Sequence, residues 1–153
     1  MKDPFESFFE NRMTPGPNGE DTRTAAIRIA ACALLLELAY ADAQFSEAER
    51  IHIEAVMRRH FSLDEKTALS IIELAESARQ REGDVHRFAA LIRDHYDLGQ
   101  KLLLAEIMWG LVLADGGIAQ REAYLLRRIA NLLDLEAGYL AHARNIAAGK
   151  NVH

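Results

Sequence analysis

From Asp21 onward the chain holds no proline, and its apolar residues recur three and four positions apart rather than at alternate positions. That spacing puts one apolar stripe along each helix and leaves no strand pattern. The pattern predicts helices at about 22–41, 46–60, 63–81, 84–95, 98–114, 119–133 and 135–148. Three starts carry a capping signal: Ser46 with Glu49, Ser62 with Glu65 and Asp97 with Gln100. In each pair the first side chain accepts an orphan amide and the second reaches back to the cap. Links this short make neighbouring helices turn back on one another.

Two halves of the pattern coincide when superposed. Leu38-Ala-Tyr-Ala-Asp42 runs into Phe45-Ser46 and Glu49, and Leu111-Val-Leu-Ala-Asp115 runs into Ile118 and Glu122, 73 positions on. Phe61-Ser-Leu63 matches Leu133-Asp-Leu135 after a slip of one residue. The expected fold is all-α, a compact bundle of about seven helices built from two pseudo-repeated halves. Two copies are too few for an open solenoid, so they are expected to pack on a shared core.

The chain divides into an N-terminal amphipathic segment with its linker, residues 1–20, and a helical domain, residues 21–150. Asp3 caps a short predicted helix or tail, Pro4 suits its first position, Glu6 completes the cap, and Phe5, Phe8 and Phe9 share one face. That face reads either as a tail folded back on its own domain or as a docking handle for a protein partner or a membrane surface. Thr14-Pro-Gly-Pro-Asn-Gly19 cannot continue a helix.

Composition narrows the function classes. A net charge of -5 over 153 residues gives no concentrated cationic face for phosphates, so no nucleic acid is expected as a partner. The pairs Arg58-Arg59 and Arg127-Arg128 read as solvated helix faces. No apolar run reaches the roughly 20 residues of a membrane span, and no signal-peptide pattern opens the chain. The expected address is the cytoplasm. The single cysteine, Cys32, sits in an apolar run and reads as a core residue. His52, His60, His86, His95 and His142 lie at no zinc-binding spacing. Trp109 and Met108 read as core packing. No nucleophile elbow, phosphate loop or catalytic carboxylate pair is present, and no enzyme is expected.

The acidic turns carry the candidate chemistry. Asp115, Gly116, Ile118 and Glu122 match positions five, six, eight and twelve of an EF-hand loop. Leu111 and Leu113 occupy positions one and three and offer no oxygen, which excludes an EF-hand. Asp115 and Glu122, with Glu106 on the preceding helix, form a candidate oxygen site for calcium or magnesium. Asp42 and Glu49 are its weaker twin. The competing reading is structural: Asp115 accepts turn amides, Gly116 takes a positive φ, and Glu122 favours the next helix start. That reading explains Glu49 more fully than Glu122, because Ser46 completes a capping box and Ala119 cannot.

At these residues the chain resembles the tellurite-resistance protein B-like (TerB-like) family. The family pattern, given twice, is a helix ending in Ala-Asp-Gly, an apolar residue two further on, a polar helix start and then Glu. Arg87-Phe88 with Leu91, and Leu104-Ala-Glu106 with Trp109, fall where the family has an Arg-Phe pair and a Leu-Trp step. The resemblance covers roughly residues 22 to 148. It implies a bundle of about seven helices with acidic clusters suggested to bind divalent cations, without an established enzymatic activity. Related domains serve in tellurite and stress responses, and one occurs at the front of a membrane-anchored J-domain co-chaperone. Ala43 stands in place of the family's glycine, and Ala119 in place of its capping residue. The function expected is a TerB-like interaction module in a stress or envelope-linked response; the alternative is a metal-ion sensor whose helix packing responds to the cation.

Overall fold

The structure is a computed structural model that describes residues 22–41, 47–82, 85–113 and 120–151. These form seven helices: α1 (Thr22–Tyr40), α2 (Glu47–His60), α3 (Glu65–Glu82), α4 (Val85–His95), α5 (Leu98–Leu113), α6 (Gln120–Leu132) and α7 (Ala137–Asn151). The described residues contain no strand, and every helix end lies within three residues of its sequence-based position. The bundle is all-α, as expected. The segment 1–20 and its Phe5, Phe8 and Phe9 lie outside the described residues.

Helix α1 is apolar on every side from Ile29 to Leu36, and all eight of those residues are buried. A helix with no polar face must sit inside. Accordingly α1 touches α2, α3, α4, α5 and α6. Its neighbours bury one stripe each. Helix α3 contributes Ala68, Ile71, Ile72, Ala75 and Ala78, whose three alanines let it approach α1 closely. Phe88 and Ile92 of α4 and Leu126 and Ile129 of α6 close the sides.

The two halves share a packing plan. The most extensive contacts in the molecule are α5 against α7 and α1 against α3, which are equivalent pairs in the superposed sequence. Helix α1 also packs on α5, so the first helix of one half meets the first of the other.

The helix ends reveal one misreading. Asp97 Oδ1 accepts the Gln100 amide at 2.8 Å, and Gln100 Oε1 accepts the Asp97 amide at 2.9 Å; the expected reciprocal cap is formed. Ser62, expected to cap α3, has φ 54° instead and terminates α2, where the Leu63 amide donates to the Arg58 carbonyl at 3.1 Å. The cap of α3 is Asp64, whose Oδ1 accepts the Thr67 amide at 2.7 Å. A side-chain hydrogen bond from Thr67, together with this backbone one, holds the Asp64 carboxyl below its ordinary range. Ser46, the third expected cap, lies outside the described residues.

Candidate functional site: the acidic helix junctions

Glu49 and Glu122 stand in the first turns of α2 and α6. Each opens the inward stripe of its helix: Glu49 precedes Ile53 and Met57, and Glu122 precedes Leu126 and Ile129, at helical spacing. The stripe carries the carboxylate toward the core, and Glu122 is only 5% exposed. It is the one buried polar or charged residue among the described residues. The helix N-terminus beside it presents unpaired amides and a positive dipole end, which favours a carboxylate there. Glu49 and Glu106 are half-buried. All three glutamates are engaged in interactions.

Asp42 and Asp115, with Gly116 and Ile118, fall outside the described residues. The structure therefore places Glu49, Glu106 and Glu122 but not the aspartates paired with them. Among the described residues no three His, Cys, Asp or Glu side chains gather in a group able to hold a metal ion.

A charged network that the sequence reading missed frames the N-terminal junction. Arg79 of α3 lies with its Nε 2.8 Å from Glu37 Oε1, and its guanidinium covers the Tyr40 ring 4.0 Å from the centroid. Both partners belong to the last turn of α1. Arg50 of α2 pairs with Glu76 of α3 at 3.4 Å, and the Tyr40 hydroxyl donates to Glu76 at 3.5 Å. Both ends of the 41–46 junction are thus tied to α3. Burial pushes the Glu37 carboxyl up, against the pull of Arg79. The Tyr40 hydroxyl is raised by burial and then by the Glu76 charge. One signal for this network was available: Glu37 is the only charged residue between Ile29 and Tyr40.

No such network exists at the equivalent positions of the other half. Gly110, Leu113 and Ala123 stand where Glu37, Tyr40 and Arg50 do. The two junctions are therefore electrostatically unlike. Glu49 is half-buried beside that network, whereas Glu122 is almost fully buried.

Other expected residues fall where the pattern put them. Cys32 is fully buried, and that burial pushes its thiol up, out of reach of ordinary thiolate chemistry. Arg58, Arg59, Arg127 and Arg128 are exposed, as are His52, His86, His95 and His142. Met108 and Trp109 are buried. Trp109 has a second role that core packing did not suggest: with Arg127, Asn131, Leu135, Leu140 and Arg144 it lines an open groove of about 340 Å³ between α5, α6 and α7.

Comparison with known proteins bears on the whole fold rather than on one residue. The family model described as tellurite resistance protein TerB matches residues 28–145, a span from early α1 into α7. No curated protein and no solved structure matches the chain.

Proposed function

The chain belongs to the TerB family, and from that premise we propose that it is a non-enzymatic interaction module of the cytoplasm, acting in a stress or envelope-linked response by holding a protein partner. The observation that carries this reading is a pair of exposed apolar residues. Ile51 is 57% exposed and Tyr124 69% exposed, the two highest values among large apolar side chains of the described residues. They sit at equivalent positions, each two residues past the glutamate of its junction. On a helix that step turns the side chain to the opposite face, so each glutamate points inward while its neighbour is offered to solvent. Exposed large apolar groups repeated with the fold suit contact with a protein surface. No helix of the described residues is long and apolar enough to cross a membrane, which agrees with a partner met from one side.

The second reading is a cation sensor, and burial of Glu122 favours it. Asp115, Glu122 and Glu106 are the ligands this reading assigns for calcium or magnesium, with Asp42 and Glu49 as a weaker pair because Ala43 stands in place of the family's glycine. Binding would then change how α6 seats on α5, which carries Trp109.

Affinity purification from the native cell tests the first reading, using the full chain, an Ile51→Ser/Tyr124→Ser variant and a Phe5→Ala/Phe8→Ala/Phe9→Ala variant. Loss of a captured partner with either variant supports the module; equal capture by all three chains removes it. Calorimetric titration with calcium, magnesium, manganese and zinc tests the second. Heat that Asp115→Asn abolishes, with a change in the Trp109 near-ultraviolet signal, supports the sensor. Its absence for all four cations rules the sensor out.

A further inference from the structure

We propose that the groove between α5, α6 and α7 is the resting seat of the chain's own segment Asp3–Glu10, with its aromatic face on Trp109, Leu135 and Leu140 and its carboxylates toward Arg127 and Arg144. The groove is apolar at its base and cationic at its rim. Leu135 and Leu140 are buried there, and Trp109 is 3% exposed with no hydrogen-bond partner for its Nε1. The Arg144 guanidinium stands 5.3 Å from the Trp109 ring centre. Neither Arg144 nor Arg127 has a carboxylate partner among the described residues, in a chain of net charge -5. Two guanidiniums left without counter-charge beside an aromatic floor call for an occupant that is both acidic and aromatic.

The segment supplies that chemistry. Asp3, Glu6 and Glu10 alternate with Phe5, Phe8 and Phe9, and its only cations are Lys2 just before it and Arg12 just after. A stretch with one apolar and one acidic face can lay aromatics on the floor while its carboxylates meet the rim.

Reach is sufficient. The charge of Arg28, in the second turn of α1, acts on the Tyr96 hydroxyl just ahead of α5, so the start of α1 lies toward the start of α5. Trp109 is eleven residues into α5, or about 16 Å along it at 1.5 Å per residue. Residues 11–21 span about 36 Å when extended. The six residues from Thr22 to Arg28 add about 9 Å, and the run along the two helices still falls short of the linker's extended length.

Self-docking makes the aromatic handle unavailable until something displaces it, so a partner must out-compete the groove. The seat is intramolecular, and its effective concentration is set by the linker. Its failure is separate from that of the interaction module: a handle never docked in the groove still leaves Ile51 and Tyr124 free to bind.

The test attaches a nitroxide to Ser7→Cys in the full chain and reads paramagnetic broadening by NMR. Cys32 is fully buried with a raised thiol and stays unlabelled. The expected result is loss of most of the intensity of the Trp109 indole N–H and of the Leu135 and Leu140 methyls. Broadening should persist when the labelled chain is diluted into excess unlabelled chain. It should vanish when Phe5, Phe8 and Phe9 are replaced by alanine and weaken with Arg127→Gln, which leaves the Trp109 ring in place. Unbroadened groove resonances would overturn the proposal. Broadening that disappears on dilution would assign the groove to a second copy instead, and would overturn the intramolecular seat.

Discussion

Ser62 and Asp134 hold the same left-handed backbone, φ 54° and φ 60°, at matching ends of α2 and α6. After each, an amide reaches back five residues: Leu63 to Arg58 at 3.1 Å and Leu135 to Ala130 at 2.9 Å. Both helices close in a Schellman turn whose left-handed position, usually glycine, is filled by a residue with a Cβ.

That substitution leaves strain to relieve. A left-handed non-glycine residue costs about 1–2 kcal/mol, and glycine returns part of the gain by loosening the unfolded chain. Ser62→Gly is expected to raise stability by about 0.5–1 kcal/mol, and Asp134→Gly by less, because aspartate tolerates this conformation better. Urea midpoints of the two variants check both the sign and the order.

The Arg79 network gives a pH-dependent expectation. Arg79→Ala strands the half-buried Glu37 carboxylate and is expected to cost about 1–3 kcal/mol near neutral pH. The Glu37 carboxyl is already raised from its ordinary 4.5. The folded state therefore binds this proton more tightly than the unfolded one, and the group's contribution is lost as pH rises through the window above 4.5. Without Arg79 the folded value climbs further, so the variant's deficit should shrink on going from about pH 7 to about pH 4. Adding Glu37→Gln should recover part of it at neutral pH. Denaturant curves at the two pH values decide; a deficit independent of pH would mean that only packing was lost.

Gly110 offers a gain in stability. It lies inside α5, and a Cβ built there meets no atom within 4 Å. Gly110→Ala is expected to stabilise by about 1 kcal/mol, the usual difference between the two residues within a helix. A rise in thermal midpoint is the readout. The equivalent residue in the first half is Glu37, where the same space holds an ion pair.

Alkaline titration isolates Tyr96. Burial pushes its hydroxyl up from 10 to about 12, against the nearby Arg28 charge. Raised in the folded state, it favours folding below pH 10, and that contribution is lost as pH climbs through about 12. Phenolate absorbance should show a late-titrating component that Tyr96→Phe removes, distinct from that of Tyr40, and the variant should lose less stability across that interval.

Most of the architecture was legible in the sequence because helices here are written by spacing. The seven helices and the Asp97–Gln100 cap follow from residue types alone. Ser62 misled because Ser62-Leu-Asp-Glu65 holds two overlapping cap signals, and no glycine marked the left-handed end of α2. Glu122 was singled out by its place after the turn, but its burial depends on the stripe that follows it. The ties of Arg79 to Glu37 and Tyr40 join residues about forty positions apart, which no local pattern reports. The same holds for the groove, whose floor and rim come from three helices.

Helix α1 has no outward side from Ile29 to Leu36, whereas its counterpart α5 keeps Leu98 and Leu103 in contact with water. Two segments of common pattern thus occupy unequal stations, one an axle enclosed by five neighbours and the other a wall. Exchange of their sequences would bring Trp109 to the enclosed station of Leu36 and move Ala30 to the open station of Leu103. Symmetry in the primary pattern has been spent on an interior: neither half retains a surface on which it could stand without the other.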